Sequence, residues 1–261
     1  MSSEIDLYKL EGKSVLITGA SSGIGRATAK MFAEHGCKVL LVDIDMQGMI
    51  DTVKEMNRPE SHEVFVVDLS KKEEIDSFWN NLKVVPDILV NNAGSYPSID
   101  FLKMTEEMFQ RTIDVNLNSM IWMCQQFVRR RGKVGGRIVN VSSIEAILPF
   151  KHDLIPYSVS KIGVIGLTRS LAREYGKRGI YANAVLPGAI RTPGTMSQVW
   201  KGLLNFRVDL MRVADTFQSR LALGRWGRPE EVAKVILFLS SDMASYVQGT
   251  MIPVDGGFLS S

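Results

Sequence analysis

Short apolar runs alternate along the chain with longer stretches in which apolar residues recur every three to four positions. The first pattern predicts buried strands and the second predicts amphipathic helices. Strands are expected near residues 14–18, 38–43, 63–67, 87–91, 136–141, 181–186 and 250–254. Helices fill most of the gaps, among them residues 24–35 and one unbroken helix over 105–131. This alternation implies an α/β fold: a doubly wound, Rossmann-like parallel sheet of about seven strands with helices on both faces. Right-handed crossovers then put a ligand crevice at the carboxyl ends of the strands. No repeat, low-complexity tract or linker interrupts the pattern, so residues 1–261 are expected to form a single domain.

Composition narrows the class. At 261 residues and 45% hydrophobic, the chain has enough apolar surface for one substantial core. A net charge of +3 is too small to suggest a nucleic-acid partner, and the one dense basic run, Arg129 to Arg131, closes a predicted helix where cations suit the helix dipole. Cys37 and Cys124 make neither a disulfide framework nor a metal cluster, and His35, His62 and His152 have no ligand spacing, so no metal is expected. No apolar stretch is long enough to span a membrane, and the amino-terminal residues lack the basic start and apolar run of a signal peptide. A soluble, cytoplasmic protein is expected.

The chemistry begins after the first strand. Ser14 to Thr18 runs straight into Gly19-Ala-Ser21-Ser22-Gly23-Ile24-Gly25 and a helical pattern, the strand–glycine turn–helix order of a dinucleotide site. Gly19 permits the tight turn, Gly23 lets backbone approach a pyrophosphate, and Gly25 allows close helix–sheet packing. Amides at the helix start favour the ligand's negative charge. The second strand ends in Asp43, whose carboxylate can accept from a ribose 2′-hydroxyl and repels a 2′-phosphate, so the expected cofactor is NAD rather than NADP. Tyr157 and Lys161, four residues apart on a helix, leave the same face. An ammonium about 4 Å from a phenol, at an effective dielectric of ~20, supplies the roughly 4 kcal/mol needed to bring a tyrosine from a pKa of ~10 toward neutrality.

These residues, with Asp68-Leu69, Asn91-Asn92-Ala93-Gly94, Asn116, Ser143, Pro187-Gly188 and Thr192, make the chain resemble the short-chain dehydrogenase/reductase family over about residues 10–258. The resemblance implies a catalytic set of Asn116, Ser143, Tyr157 and Lys161. Ser142 is the adjacent alternative to Ser143. It implies a cofactor site of Gly19, Ser21, Ser22, Gly23, Ile24, Gly25, Asp43, Asp68, Leu69, Asn92, Ala93, Gly94, Tyr157, Lys161, Pro187, Gly188, Ile190 and Thr192. Asn116 is implied to hold a water on its backbone carbonyl, linked to Lys161. The family also implies a homotetramer, with a homodimer as the alternative.

Residues 192–223 follow helical spacing with many apolar positions, an amphipathic segment suited to a lid over the substrate or to packing against the core or another subunit. Candidate substrate contacts are Met196 and Trp200 in that segment, Tyr96, and Glu145 and His152 in the loop before Tyr157, where a solvated role competes. The reaction expected is hydride transfer between a secondary alcohol or ketone and the nicotinamide. The substrate would be a sugar, polyol, hydroxy acid or apolar alcohol. A 3-oxoacyl-thioester reductase and a non-catalytic dinucleotide sensor are the alternatives.

Overall fold

The structure, a computed structural model, describes residues 8–196 and 219–261. Seven parallel strands form one sheet: β1 (Ser14–Thr18), β2 (Lys38–Asp43), β3 (Glu63–Val66), β4 (Ile88–Asn91), β5 (Gly136–Val141), β6 (Ile180–Pro187) and β7 (Met251–Val254). Their order is β3-β2-β1-β4-β5-β6-β7, so the direction of winding reverses between β1 and β4. Strand ends on either side of such a reversal diverge and leave the crevice in which ligands bind. The doubly wound architecture expected from the sequence is therefore the observed one.

The period-two geometry of a strand sorts the apolar residues of β1 onto two cores. Val15 and Ile17 join one cluster with Phe32 of α1 (Gly23–Glu34), Met49 of α2 (Met46–Lys54) and Val232 and Ile236 of a later helix, Pro229–Ser240. Leu16 faces the opposite cluster, with Trp79 of α3 (Lys72–Asn81), residues of the helix Ser119–Arg131, and Leu171 of the helix Ile155–Tyr175. Each fully buried Val, Leu, Ile or Phe in these layers contributes about 1.5–3 kcal/mol relative to exposure. That burial holds the strand ends, and so the crevice, in place.

The sequence pattern predicts one continuous helix over 105–131, and the structure divides it. Helix α4 (Glu106–Ile113) leads into a π-helical turn at Asp114–Asn118 before α5 (Ser119–Arg131) resumes the α-helical course. Thr105 caps α4 by accepting from the Met108 amide at 3.2 Å. Asn116 occupies the middle of the π turn and is fully buried. Its amide group hydrogen-bonds outside its own helix, which favours the local widening over regular turns. Gly132, at φ 53°, ends α5 where the sequence predicts the stop. Helices α6 (Ile155–Tyr175) and α7 (Pro229–Ser240) complete the described layers. No described helix is long and apolar enough to cross a membrane. The predicted lid, including Trp200, falls mostly outside the described residues.

Candidate active site

The glycine turn is built so that side chains do not fit. Gly19 has φ 67°, and a Cβ on it would stand 2.8 Å from Ala93 Cα. A Cβ on Gly25 would lie 1.9 Å from the Gly19 carbonyl oxygen, so the close packing made by Gly25 is against the turn itself. At Gly23, φ is 54° and a Cβ would meet Thr192 at 3.2 Å, which brings Thr192 to the mouth of the turn. Helix α1 begins with no acidic residue in its first turn and no side-chain cap from Ser22, which leaves its amides suited to an anionic ligand. Ser21 is buried and Ser22 exposed, while Ile24 packs partly on the core.

Asp43 stands at the end of β2, beside this turn. One of its oxygens accepts from the Ser21 amide at 3.0 Å and the other from the Asp45 amide at 3.0 Å. These bonds fix the carboxylate and leave lone pairs for a ribose hydroxyl. The guanidinium of Arg26, at the start of α1, is taken up by the Ser21 and Gly48 carbonyls and by Thr52. Asp68 follows β3 with its carboxyl held below the usual carboxylate range, chiefly by the Ser70 hydroxyl. Leu69 is buried against the α3 face of the sheet.

The loop after β4 is tied across to β1. Asn92 donates through Nδ2 to the carbonyls of Thr18 and Gly19 at 3.0 and 3.1 Å, and the Asn92 and Ala93 amides donate to Thr18 Oγ1. Asn92 thereby braces the glycine turn. Gly94 comes next, where a Cβ would lie 3.3 Å from Asn116 Oδ1 and 3.5 Å from Lys161 Nζ. Asn116 clasps the neighbouring residue: Oδ1 accepts from the Ser95 amide at 2.7 Å, while Nδ2 donates to the Ser95 carbonyl at 2.9 Å and to Ser160 Oγ at 3.2 Å. Ser95 and Ser160 were not among the expected site residues. The signal for Ser160 was its place between Tyr157 and Lys161, where its hydroxyl donates to the Tyr157 carbonyl at 2.6 Å.

At the end of β5 the two serines separate. Ser142 Oγ donates to the Lys161 carbonyl at 2.8 Å, a bond to the backbone of α6. Ser143 hydrogen-bonds the phenol of Tyr157, which pulls that phenol's pKa down against a larger rise from burial. The balance leaves Tyr157 pushed up to about 12, with the nearby Glu145 carboxylate adding to the rise. Lys161 is buried, its ammonium donating to the Val141 carbonyl at 2.9 Å and standing 5.7 Å from the centre of the Tyr157 ring. Desolvation lowers Lys161 to about 8. The expectation that this ammonium brings the phenol toward neutrality is therefore corrected: the two residues do share a face, but Lys161 is directed to a strand carbonyl and burial dominates at both groups.

Tyr96 meets Tyr157 edge to face, with ring centroids 4.7 Å apart at 88°, and Lys151 lies 4.7 Å above the Tyr96 ring. Glu145 is buried and its carboxyl is pushed up by desolvation. His152 is exposed in the loop, and Met196 is exposed at the edge of the described residues. Pro187 and Gly188 close β6, where the Gly188 amide donates to the Val254 carbonyl at 3.1 Å. Ile190 puts its side chain into the core, so its backbone is what remains for a ligand. Thr192 Oγ1 is linked to Thr195 Oγ1 at 3.1 Å.

A strand-end crevice with a glycine turn, an acid at the end of β2 and a serine–tyrosine–lysine group defines a dinucleotide-dependent oxidoreductase. Residues 19–259 match the family model described as Enoyl-(Acyl carrier protein) reductase. The chain is similar to the 3-oxoacyl-(acyl-carrier-protein) reductase of Thermotoga maritima, at 40% identity over 96% of this chain and 99% of that one. It is similar to a 4-hydroxyisoleucine dehydrogenase complexed with NADH, with TM-score 0.85, 32% identity and coverage of 96% and 100%. A structure from Agrobacterium tumefaciens with bound NADP aligns at TM-score 0.84 and 31% identity, covering 98% of this chain and 100% of that one. The chain belongs to the short-chain dehydrogenase/reductase family, whose members are NAD(P)-dependent oxidoreductases.

Proposed function

We propose that the chain is an NAD-preferring dehydrogenase or ketone reductase acting on a secondary alcohol or its ketone, with Tyr157 as the general acid–base. The observation that carries this reading is the placement of Ser143 beside the Tyr157 phenol, with Lys161 buried on the same helical face. Ser143 holds and orients the substrate oxygen. Tyr157 removes the hydroxyl proton during oxidation, or donates one during reduction. The nicotinamide, when bound, supplies the hydride acceptor or donor. Lys161 holds the nicotinamide ribose, and Asn116 contributes to the route by which the proton reaches solvent.

The fit of a dinucleotide is supported by the Gly19–Gly25 turn, where a Cβ at any of the three glycines would be crowded, and by Asp43 fixed beside it. Asp43 supports NAD in particular, since its charge would repel a 2′-phosphate. The preferred substrate is a sugar, polyol or hydroxy acid, with contacts from Tyr96 and residues of the 192–223 lid; the assembly is a homotetramer. A second reading, reduction of a 3-oxoacyl thioester, is favoured by the Thermotoga maritima relative. Asp43 weighs against it, because reductive biosynthesis usually draws on NADPH.

The test is a panel of alcohols, ketones and 3-oxoacyl thioesters assayed by NADH absorbance, with NAD and NADP compared. Turnover with NAD that is abolished in Tyr157→Phe, while that variant still binds NAD, is the expected result. Retention of most activity in Tyr157→Phe refutes the role of Tyr157, and a large preference for NADP refutes the role of Asp43.

A further inference from the structure

Glu145 lies two residues beyond Ser143 with only 6% of its surface exposed, and three separate segments converge on it. Its own amide donates to Ser143 Oγ at 3.2 Å. Its carboxylate accepts from the Phe150 amide at 3.1 Å and the Lys151 amide at 3.2 Å, one bond to each oxygen. The side chain of Ser158, in the first turn of α6 and next to Tyr157, lies near enough to help pull the Glu145 carboxyl down. Lys151, placed by this loop, lies over Tyr96, and Tyr96 packs edge-on against Tyr157. A buried carboxylate is costly to hold, and a satisfied set of donors is what makes it tolerable.

We propose that Glu145 is a positioning residue for proton transfer: its amide and its carboxylate together tie the Ser143 turn to the 150–151 loop next to the first turn of α6 and set a negative charge beside the Tyr157 ring. This inference rests on the reading of Tyr157 as the acid–base. It adds a component that the serine, tyrosine and lysine do not provide. Among the described residues, the groups facing Tyr157 are Ser143, Glu145, Tyr96 and Lys161, and those facing Glu145 are Lys151, Ser158 and the two tyrosines. Burial pushes both Tyr157 and Tyr96 upward, and the Glu145 carboxylate adds a smaller rise at each. That charge opposes ionisation of the Tyr157 phenol, whose protonated form is the one that donates to a ketone oxygen. Burial raises Glu145 itself, whereas the two amides, Lys151 and Ser158 pull it back down.

The experiment compares Glu145→Gln with the unaltered protein by two readouts that need no turnover. The first is phenol titration, taken as the absorbance difference between each protein and its Tyr157→Phe counterpart. Removing the charge should move the Tyr157 midpoint down by roughly one pH unit. The second is hydrogen exchange at the Phe150 and Lys151 amides, expected to accelerate about tenfold or more in Glu145→Gln. Glu145→Asp keeps the charge with a shorter reach, so its Tyr157 midpoint should stay near that of the unaltered protein while exchange rises. If the variants do not fold, the unaltered protein still gives an answer: protection of the two amides should fall on acidification as Glu145 takes up a proton. Unmoved midpoints together with unchanged exchange, or protection independent of pH, overturn the proposal. An enzyme silent with every alcohol and ketone, yet showing the titration shift, would instead overturn the dehydrogenase reading alone.

Discussion

The hydroxyl of Ser142 is bonded to the backbone carbonyl of Lys161 at 2.8 Å, so one of the two adjacent serines is committed to holding helix α6 against the end of β5. Its neighbour Ser143 is the one that reaches the Tyr157 phenol. Strand alternation explains the split, since successive residues at a strand end face opposite ways. Ser143→Ala should therefore lower kcat by roughly a hundredfold or more, as expected when a donor aimed at the reacting oxygen is lost. Ser142→Ala should act mainly on stability, costing about 1 kcal/mol through loss of a buried hydrogen bond between β5 and α6. Steady-state kinetics and urea denaturation of both variants separate the roles; equal kinetic losses would contradict the division.

Buried Lys161 carries a pH signature in folding. Its pKa falls from an ordinary 10.5 to about 8 in the folded chain, so the unfolded state binds the extra proton between those values. Stability contributed by this residue therefore rises as pH increases from 8 toward 10.5, and below pH 8 its burial as an ammonium is a cost. Two pH units within that window correspond to about 2–3 kcal/mol. Lys161→Met should remove this component, so the stability difference between the two proteins, measured by urea denaturation of the cofactor-free forms, should change in favour of the lysine by that amount from pH 8 to pH 10. A difference independent of pH would place the lysine charge in a better-solvated setting.

Much of this architecture was legible in the chain. Apolar runs such as Val15 to Ile17 admit few alternatives to a buried strand, and the glycine turn after Thr18 carries its own steric reason. The π turn around Asn116 was not legible, because apolar spacing over 105–131 continues through it and only the long-range bonds of Asn116 to Ser95 and Ser160 reveal it. The electrostatics of Tyr157 and Lys161 were also hidden. Spacing on a helix places two side chains on one face, but whether an ammonium reaches a phenol or a strand carbonyl depends on tertiary packing, here on Val141. The node at Glu145 depends likewise on a loop that returns to it five and six residues later.

Glycines in this chain differ in what a methyl group would meet. At Gly25 it would collide with the Gly19 backbone at 1.9 Å, and a backbone cannot yield as a flexible side chain does. Gly25→Ala should cost about 3 kcal/mol or more and weaken dinucleotide binding by displacing the turn. Gly166, within α6, has nothing within 4 Å of the same position and no left-handed backbone. Gly166→Ala should stabilise by about 0.5–1 kcal/mol through helix propensity. Thermal denaturation, with NAD binding measured by fluorescence for the first variant, tests the contrast.

The direction of the Tyr157 shift fixes how turnover should respond to pH. In the proposed role, oxidation of an alcohol needs the Tyr157 phenolate, and burial places the phenol at about 12 in the cofactor-free chain. Below the apparent pKa of the working complex the phenolate fraction rises tenfold per pH unit, so kcat/KM for oxidation should climb with a slope near one on logarithmic axes. Reduction needs the phenol, already present at neutral pH, and should stay level until that same pKa and fall above it. Lys161 adds its own step near 8, where loss of its proton removes the positive charge beside the nicotinamide ribose proposed to bind there. Profiles in both directions between pH 6 and about 10, repeated in solvent deuterium oxide, check this assignment. An oxidation rate that is flat across that range would mean that Tyr157 is not the group that takes the proton.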